Sequence, residues 1–251
     1  MGEQSTAVNE GLPKREATDH ALTDPKDTGI KSVAISVKKI FIFFVGGAGD
    51  QERYYVSGPN WNVNYVRDLV IEDAEALGYV CRCPVHPLAY NKFLTDEDLA
   101  KNVLSKVPDV STAIYIVGHS LGGWNGAHLS SVLTDRGYKV KMLITLDPVG
   151  QGKIVYGISS IYKQEPKPKA EFWVNVRAAK IKDRDFSDFI ADFGEQWKMT
   201  SGPDVNGVVD VNHAFAYVMF GKPLEGGKSA RQLLAESILG YFREDAKCVN
   251  A

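Results

Sequence analysis

The sequence predicts an α/β domain, with a mostly parallel central sheet and helices on both faces. Short runs of β-branched and aromatic residues alternate with stretches of helical spacing, and Gly-rich turns separate the two. The run from Ile40 to Val45 is apolar throughout, as expected of a strand that is buried on both faces. With 251 residues, 44% hydrophobic and 24% charged, the chain is long enough for one such domain.

The first 30 residues differ in composition from the rest of the chain. They are rich in Thr, Asp, Glu, Lys, Gly and Pro and show no apolar periodicity, which predicts a polar, disordered segment over residues 1–30. The folded domain is expected to begin near Lys31 and to span residues 31–251.

The first strand is predicted at Lys38 to Val45. A helix follows over Asn60 to Leu77, where apolar residues recur every three or four positions and Gly78 stands at the place of a C-cap glycine. The apolar segment from Gly78 to Cys83 then predicts the second strand.

The alternation continues through the middle of the chain. A helix is predicted over Thr95 to Val107, with Thr95 as N-cap and three acidic residues in its first turn. The remaining predicted elements are a strand at Ser111 to Ser120, a helix from about Leu121 to Arg136, strands at Tyr138 to Asp147 and Glu171 to Ala178, and a closing helix at about Lys228 to Arg243.

Composition excludes several classes of function. The net charge is −2, from 29 basic and 31 acidic residues, so no excess of positive charge indicates nucleic-acid binding. No apolar run approaches the roughly 18 residues of a membrane-spanning helix. The three cysteines, Cys81, Cys83 and Cys248, lack CxxC spacing, which argues against a disulfide scaffold or a cysteine metal site. No metal and no cofactor are expected.

The start of the chain lacks the features of a cleavable signal peptide. Charged residues such as Glu3, Glu10 and Lys14 occupy the region where an apolar core would be needed. We therefore expect a protein that is cytoplasmic as synthesised, and export by a route that reads no cleavable signal stays open.

The segment GHSLG, residues Gly118 to Gly122, matches the GxSxG pattern of a nucleophile elbow. The bare pattern is only suggestive, but an apolar strand runs into it and a helix-forming segment follows. An elbow requires this context, because it holds the serine hydroxyl clear of the sheet on a strained turn between small residues. Ser120 is thus the candidate nucleophile, and a plain Gly-rich turn is the alternative.

A nucleophilic serine needs a base and an acid that orients the base. Asp147 ends the next predicted strand, so it belongs at the same carboxyl edge of a parallel sheet as Ser120. It is the candidate acid. Asp183 or Asp185, after the later strand, could supply the carboxylate instead, and an Asp before Pro is also common in turns.

The chain order Ser, Asp, His requires the base to follow the acid, and His213 is the one histidine that does. It is the candidate general base. The other four are expected in structural or surface roles: His20 in the tail, His86 in a Pro-flanked loop, His119 inside the elbow and His128 on the following helix.

Backbone N–H groups must stabilise the negative charge that develops on the substrate. Leu121, directly after the nucleophile, is expected to supply one. The Gly-rich loop from Gly46 to Gly49 is expected to supply the second, through Gly47 or Ala48, because it follows an early strand and its small residues let a substrate approach. The same loop lacks the spacing and the lysine of a phosphate-binding loop.

Together these motifs resemble the α/β-hydrolase superfamily and, within it, the lipases and esterases. GHSLGG, LDP after the next strand and NHxxxY around His213 are similar to the motifs of the pancreatic-type lipases. The resemblance covers residues Lys38 to His213 and implies an α/β-hydrolase fold and a serine hydrolase of carboxylic esters. GGAGD departs from the His-Gly start of that family's oxyanion loop, and the family's disulfides and lipid-binding domain are missing.

The substrate is less defined than the reaction. The segment from Ile154 to Trp197 contains two apolar stretches, which would suit the lid and acyl pocket of a lipase or belong to ordinary helices. A lipid or phospholipid acyl ester is the first expectation, and a small soluble ester the second. Acyl transfer and a non-catalytic binding role are the alternatives. Some features also resemble lipase effectors that bacteria inject into competitors, which would imply an immunity protein as partner.

Overall fold

The computed structural model describes residues 38–53, 58–79 and 82–248, with side chains described as far as Arg243. The polar segment predicted over residues 1–30 and the expected start of the fold near Lys31 lie outside these ranges. So do Cys81 and the side chain of Cys248, so that of the three cysteines only Cys83, which is free and buried, is described.

Six parallel strands form the central sheet, in the order β2-β1-β3-β4-β5-β6. Their bounds are β1 Ile40–Gly46, β2 Val85–Ala89, β3 Ala113–His119, β4 Lys139–Leu146, β5 Trp173–Ala178 and β6 Val205–Val209. Every residue of β1 and β3 is buried, as the continuous apolar runs predict for strands covered on both faces. The predicted parallel sheet is therefore confirmed.

Seven α-helices join the strands of the described chain. They are α1 Asn62–Ala76, α2 Asp96–Asn102, α3 Leu121–Asp135, α4 Lys153–Ile158, α5 Phe186–Gly194, α6 Ala216–Gly221 and α7 Ala230–Cys248. A 3-10 turn at Leu104–Lys106 extends α2. Thr95 caps α2 by accepting the Asp98 N–H at 3.1 Å, and Gly78 follows α1 with a φ of 76°, as predicted for both.

The helices cover the sheet on two faces, each with its own apolar core. One core joins the sheet to α1, α6 and α7 through residues such as Val66, Phe220 and Ile238. The other joins it to α2, α3 and the segments around α4 and α5, through residues such as Leu99 and Trp124. This three-layer arrangement, with a strand-turn-helix at β3 and α3, is the α/β-hydrolase fold.

The prediction of the second strand was wrong. The described residues between Gly78 and Cys83 form a turn, in which the Arg82 N–H donates to the Tyr79 carbonyl at 2.9 Å, and β2 begins at Val85. His86, expected in a loop, therefore lies in β2 opposite Phe43. The strand contains a proline, which is tolerated because β2 is an edge strand with one neighbour.

One short strand was not predicted, and three short helices lie where the sequence left a helix as one alternative or gave no bounds. The strand β6 has the sequence VNGVV and lies at the other edge of the sheet, where only alternate residues are buried. The helices α4, α5 and α6 each have nine residues or fewer. Such lengths give too little periodicity for a reliable assignment. Among the described residues, no helix is both long enough and apolar enough to cross a membrane.

Candidate active site

Ser120 lies on the sharp turn between β3 and α3. Its φ of 57° and ψ of −129° place it in a region that residues with side chains rarely occupy. A Cβ on Gly118 would collide with the backbone of Gly122, and a Cβ on Gly122 would collide with the carbonyl of Val45. Because three backbone segments meet here, the pattern needs glycine on both sides of the serine, as the sequence predicts for an elbow.

The structure brings the three residues of the predicted triad together. His213 Nε2 lies 3.0 Å from the Oγ of Ser120, and its Nδ1 lies 2.6 Å from Oδ2 of Asp147. All three side chains are buried. The alternative acids are engaged elsewhere, since the Asp185 carboxylate caps α5 and Asp183 is exposed. When a hydroxyl, an imidazole and a carboxylate are lined up in this spatial order, the imidazole can take the proton of the hydroxyl.

The carboxylate of Asp147 has donors on both oxygens. Oδ1 accepts the N–H of Ala178 at 3.0 Å and the amide Nε2 of Gln196 at 2.7 Å, and Oδ2 accepts from Gln196 at 3.0 Å in addition to His213. These hydrogen bonds compensate the burial of the charge. Gln196 was not predicted. No sequence pattern distinguishes it, because its position depends on how the chain after α5 packs against the loop that follows β4.

His213 stands in a loop that is tied to the N-terminus of α5. Its backbone N–H donates to Oδ1 of Asp188 at 2.9 Å, and the side chain of Asn212 donates to Oδ2 of the same carboxylate at 2.9 Å. The N–H of Ala214 donates to the hydroxyl of Ser187 at 3.0 Å. Asp188 was also missed. A signal existed, since Asp185 and Asp188 have the spacing of a capping box before an apolar run.

His119 lies beneath the base and is fully buried. Burial, together with the nearby His213, lowers the pKa of His119 to about 3, so its ring is neutral at physiological pH. Its Nε2 lies 2.8 Å from the carbonyl oxygen of His213 and carries the hydrogen that makes this bond. His128, on α3, contacts the carbonyl of Gln164 and not the site.

The Gly-rich loop after β1 runs beside the serine. A Cβ built on Gly47 would lie 2.6 Å from Cβ and 3.1 Å from Oγ of Ser120, so the backbone of the loop approaches the candidate nucleophile closely. Ala48 and Leu121 line the same cavity as Ser120. The structure thus places Gly47, Ala48 and Leu121 beside Ser120, and their role as an oxyanion hole stays a prediction.

Asp50 anchors the end of this loop to α1. Its carboxylate accepts the backbone N–H groups of Asn62 and of Val63, the second at 3.3 Å, and so supplies acceptors at the start of the helix. Burial raises the pKa of Asp50 to about 6, although these two N–H groups favour the charged form. Asp50 was noted in the sequence only as the end of the GGAGD segment.

A cavity of about 330 Å³ opens beside Ser120. The Gly-rich loop after β1, the elbow and the His213 loop line part of it, and α4 and α5 line the rest together with the start of α1. The large apolar side chains that α4 and α5 contribute are Val155, Ile158, Phe186, Ile190 and Phe193. Within the segment from Ile154 to Trp197, Ile158 is 48% exposed and lines the cavity, whereas Ile161 is 4% exposed and belongs to the core.

Metal ligands do not cluster near the cavity. Within residues 38–53, 58–79 and 82–248, no group of three or more His, Cys, Asp or Glu side chains could hold an ion.

No protein-family model and no curated protein matches the chain. A cell surface hydrolase from Lactobacillus plantarum WCFS1 is 10% identical, over 70% of this chain and 83% of its own, with a TM-score of 0.40. YbtT, a type II thioesterase of the yersiniabactin pathway, is 11% identical, over 84% and 95%, with a TM-score of 0.41. An esterase domain from Rhodothermus marinus is 11% identical, over 85% and 88%, with a TM-score of 0.37.

Proposed function

We propose that the protein is a serine hydrolase that cleaves carboxylic esters through an acyl-enzyme on Ser120. One observation carries the proposal: Ser120 Oγ, the His213 ring and the Asp147 carboxylate are joined by contacts of 3.0 Å and 2.6 Å at the opening of an apolar cavity. A buried hydroxyl, imidazole and carboxylate aligned in this way serve to activate the hydroxyl as a nucleophile.

The reaction follows from the geometry. Ser120 Oγ attacks the ester carbonyl carbon while His213 Nε2 takes the hydroxyl proton, and Asp147 stabilises the imidazolium that results. The negative charge on the carbonyl oxygen is stabilised by the N–H of Leu121 and by an N–H of Gly47 or Ala48. The bond to the leaving alcohol breaks as His213 returns the proton to it. Water, activated by His213, then hydrolyses the acyl-enzyme and releases the carboxylic acid.

The cavity favours an ester with an apolar acyl group. Its volume of about 330 Å³ is at the low end of the range for small-molecule sites, which suits one acyl chain. The side chains that α4 and α5 contribute to it are apolar, so each methylene buried there adds up to about 0.8 kcal/mol to binding. We therefore place a lipid or phospholipid acyl ester first and a small soluble ester second.

Labelling with a fluorophosphonate, combined with a panel of p-nitrophenyl esters of increasing chain length, tests the proposal. We expect wild-type protein to be labelled, Ser120→Ala to be unlabelled and to lose on the order of 10⁴ or more in kcat, and Ser159→Ala, at another serine of the cavity, to retain labelling. The value of kcat/KM should rise by at most about fourfold per methylene until the cavity is full. Labelling that persists in Ser120→Ala would refute the proposal.

A role as an injected antibacterial effector, with an immunity protein as partner, is supported only by the resemblance of the sequence to such lipases. It predicts that the protein directed to the periplasm of a bacterial host stops growth, and that Ser120→Ala does not. Equal growth with both proteins would remove this role and leave ester hydrolysis unaffected.

A further inference from the structure

Helix α5 and the segment that follows it contact the candidate triad at two places. At its N-terminus, Asp188 accepts the N–H of His213 and the side-chain amide of Asn212, each at 2.9 Å, and Ser187 accepts the N–H of Ala214 at 3.0 Å. Three consecutive residues of the histidine loop are thereby hydrogen-bonded to one turn of α5.

The segment that follows α5 holds the acid. Gln196 donates to both oxygens of Asp147, at 2.7 Å and 3.0 Å, and also to the carbonyl of Ala178 at 2.9 Å. Its backbone is fixed as well, because residues 196 and 149 form an antiparallel bridge and the N–H of Trp197 donates to the carbonyl of Pro148 at 2.7 Å. The chain after α5 is therefore paired with the loop that begins at the acid.

Between its ends, α5 presents an apolar face to the cavity. Phe186, Ile190 and Phe193 line the cavity, and Phe186 is 73% exposed, although it is a large apolar side chain. A substrate chain in the cavity would contact the same helix that contacts the loops of the base and the acid.

We propose that α5, together with the two residues that follow it, is a positioning element, in which Asp188 aligns the base and Gln196 aligns the acid. The proposal rests on the proposed function and adds to it two positioning residues that touch neither substrate nor reacting atoms. Helix α5 therefore cannot swing away as a rigid lid while the triad stays aligned. The same hydrogen bonds join the α5 segment to the loop of His213 and to the carboxylate of Asp147.

Asp188 does more than a capping residue requires. It accepts the N–H of Asp185 at 2.9 Å, which completes the capping box of α5, and its other contacts go to the histidine loop. Asp188→Ala leaves the N–H of His213 and the amide of Asn212 without this acceptor, in a buried place. The loop then relaxes, and the distance between Nε2 and Ser120 Oγ is no longer fixed.

The test compares Asp188→Ala, Asp188→Asn and Gln196→Met with wild type and with Thr95→Ala. Thr95 caps α2 away from the site and controls for the loss of a helix cap alone. We expect kcat to fall about 10²-fold in Asp188→Ala, as for a reacting group displaced by about 1 Å, with KM changed less than twofold. Asp188→Asn, which keeps the size and one acceptor oxygen, should lose less. Thr95→Ala should retain wild-type kcat.

A second measurement is independent of turnover. The proton on His213 Nδ1, hydrogen-bonded to Asp147, should give an NMR signal downfield of the amide protons, which is assigned by its loss in His213→Gln. We expect this signal to shift or broaden in Asp188→Ala and Gln196→Met and to stay unchanged in Thr95→Ala. If Asp188→Ala fails to fold, Asp188→Asn and Gln196→Met carry the test.

The two proposals fail in different ways. If wild-type protein neither hydrolyses esters nor reacts with fluorophosphonate, the proposed function fails, whereas the NMR signal still reports whether α5 aligns His213 with Asp147. If esters are hydrolysed but kcat and the Nδ1 proton signal are unchanged in both Asp188→Asn and Gln196→Met, α5 is not a positioning element.

Discussion

Replacing Asp147 with Asn separates the proton chemistry of the acid from its size. Oδ1 of Asp147 accepts the N–H of Ala178 at 3.0 Å and Nε2 of Gln196 at 2.7 Å, so an acceptor is required at that position. In Asp147→Asn the amide oxygen should therefore take the place of Oδ1. The amide nitrogen then takes the place of Oδ2, which lies 2.6 Å from Nδ1 of His213.

The consequence is a change of tautomer at the base. The new amide donates to Nδ1 of His213, so the ring hydrogen moves to Nε2, which lies 3.0 Å from Ser120 Oγ. A ring with hydrogen on Nε2 cannot accept the serine proton. We expect kcat to fall by roughly 10² to 10⁴, which corresponds to about 3 to 5 kcal/mol in the activation free energy.

The measurement combines kcat on a short water-soluble ester with the rate of fluorophosphonate labelling. Thermal unfolding should remain cooperative, because the variant keeps the shape of the side chain. Asp183→Asn, at an exposed position, serves as the matched control and should be silent. Asp147→Asn with near wild-type kcat would refute the reasoning.

Three further outcomes are expected. Gly47→Val should lower kcat/KM some 10²-fold, which corresponds to about 3 kcal/mol of transition-state stabilisation, because its Cβ would lie 2.6 Å from that of Ser120. An unchanged kcat/KM in a folded variant would contradict the role of this loop in the oxyanion hole. Ile158→Asn should slow the hydrolysis of long-chain esters and leave that of acetate esters unchanged, because Ile158 lines the cavity; equal losses on both ester classes would contradict this role. Ile161→Ala should instead lower the free energy of unfolding by about 2 to 5 kcal/mol, because Ile161 is buried in the core. His119 takes up a proton near pH 6.5 in the unfolded chain and only near pH 3 in the folded chain, so the free energy of unfolding should fall by about 2 kcal/mol between pH 8 and pH 5. Denaturant titrations of His119→Gln should show a smaller fall. An unchanged pH dependence in this variant would show that His119 is protonated in the folded protein.

The fold was predictable where elements are long or continuously apolar. The runs that became β1 and β3 are buried throughout, β4 is buried from Met142 to Leu146, and the order of these strands along the chain predicts a parallel sheet. The second strand was misplaced because Pro84 and Pro87 make an edge strand look like a loop. Periodicity cannot indicate that a strand has one neighbour, since this depends on strand order.

The candidate site was also only partly predictable from the sequence. The GxSxG pattern identified Ser120, and the chain order of acid and base left His213 as the one candidate base. The three residues that the structure brings together could therefore be identified from the sequence. The residues that hold them could not. Gln196 reaches Asp147 across 49 positions of sequence, and Asp188 reaches the N–H of His213 across 25. Contacts of this range depend on how two loops meet, which a single sequence does not state.

The order of the triad along the chain has a consequence during synthesis. When β4 has been made, the chain already contains Ser120 and Asp147, but the base, 93 residues after the serine, and the helix that touches both loops are still missing. Since chains fold from the N-terminus as they emerge, the proposed function implies that Ser120 stays unactivated until β6 closes the edge of the sheet and His213 follows it. Under the proposed function, a chain that ends before residue 213 therefore lacks the base that would activate its serine.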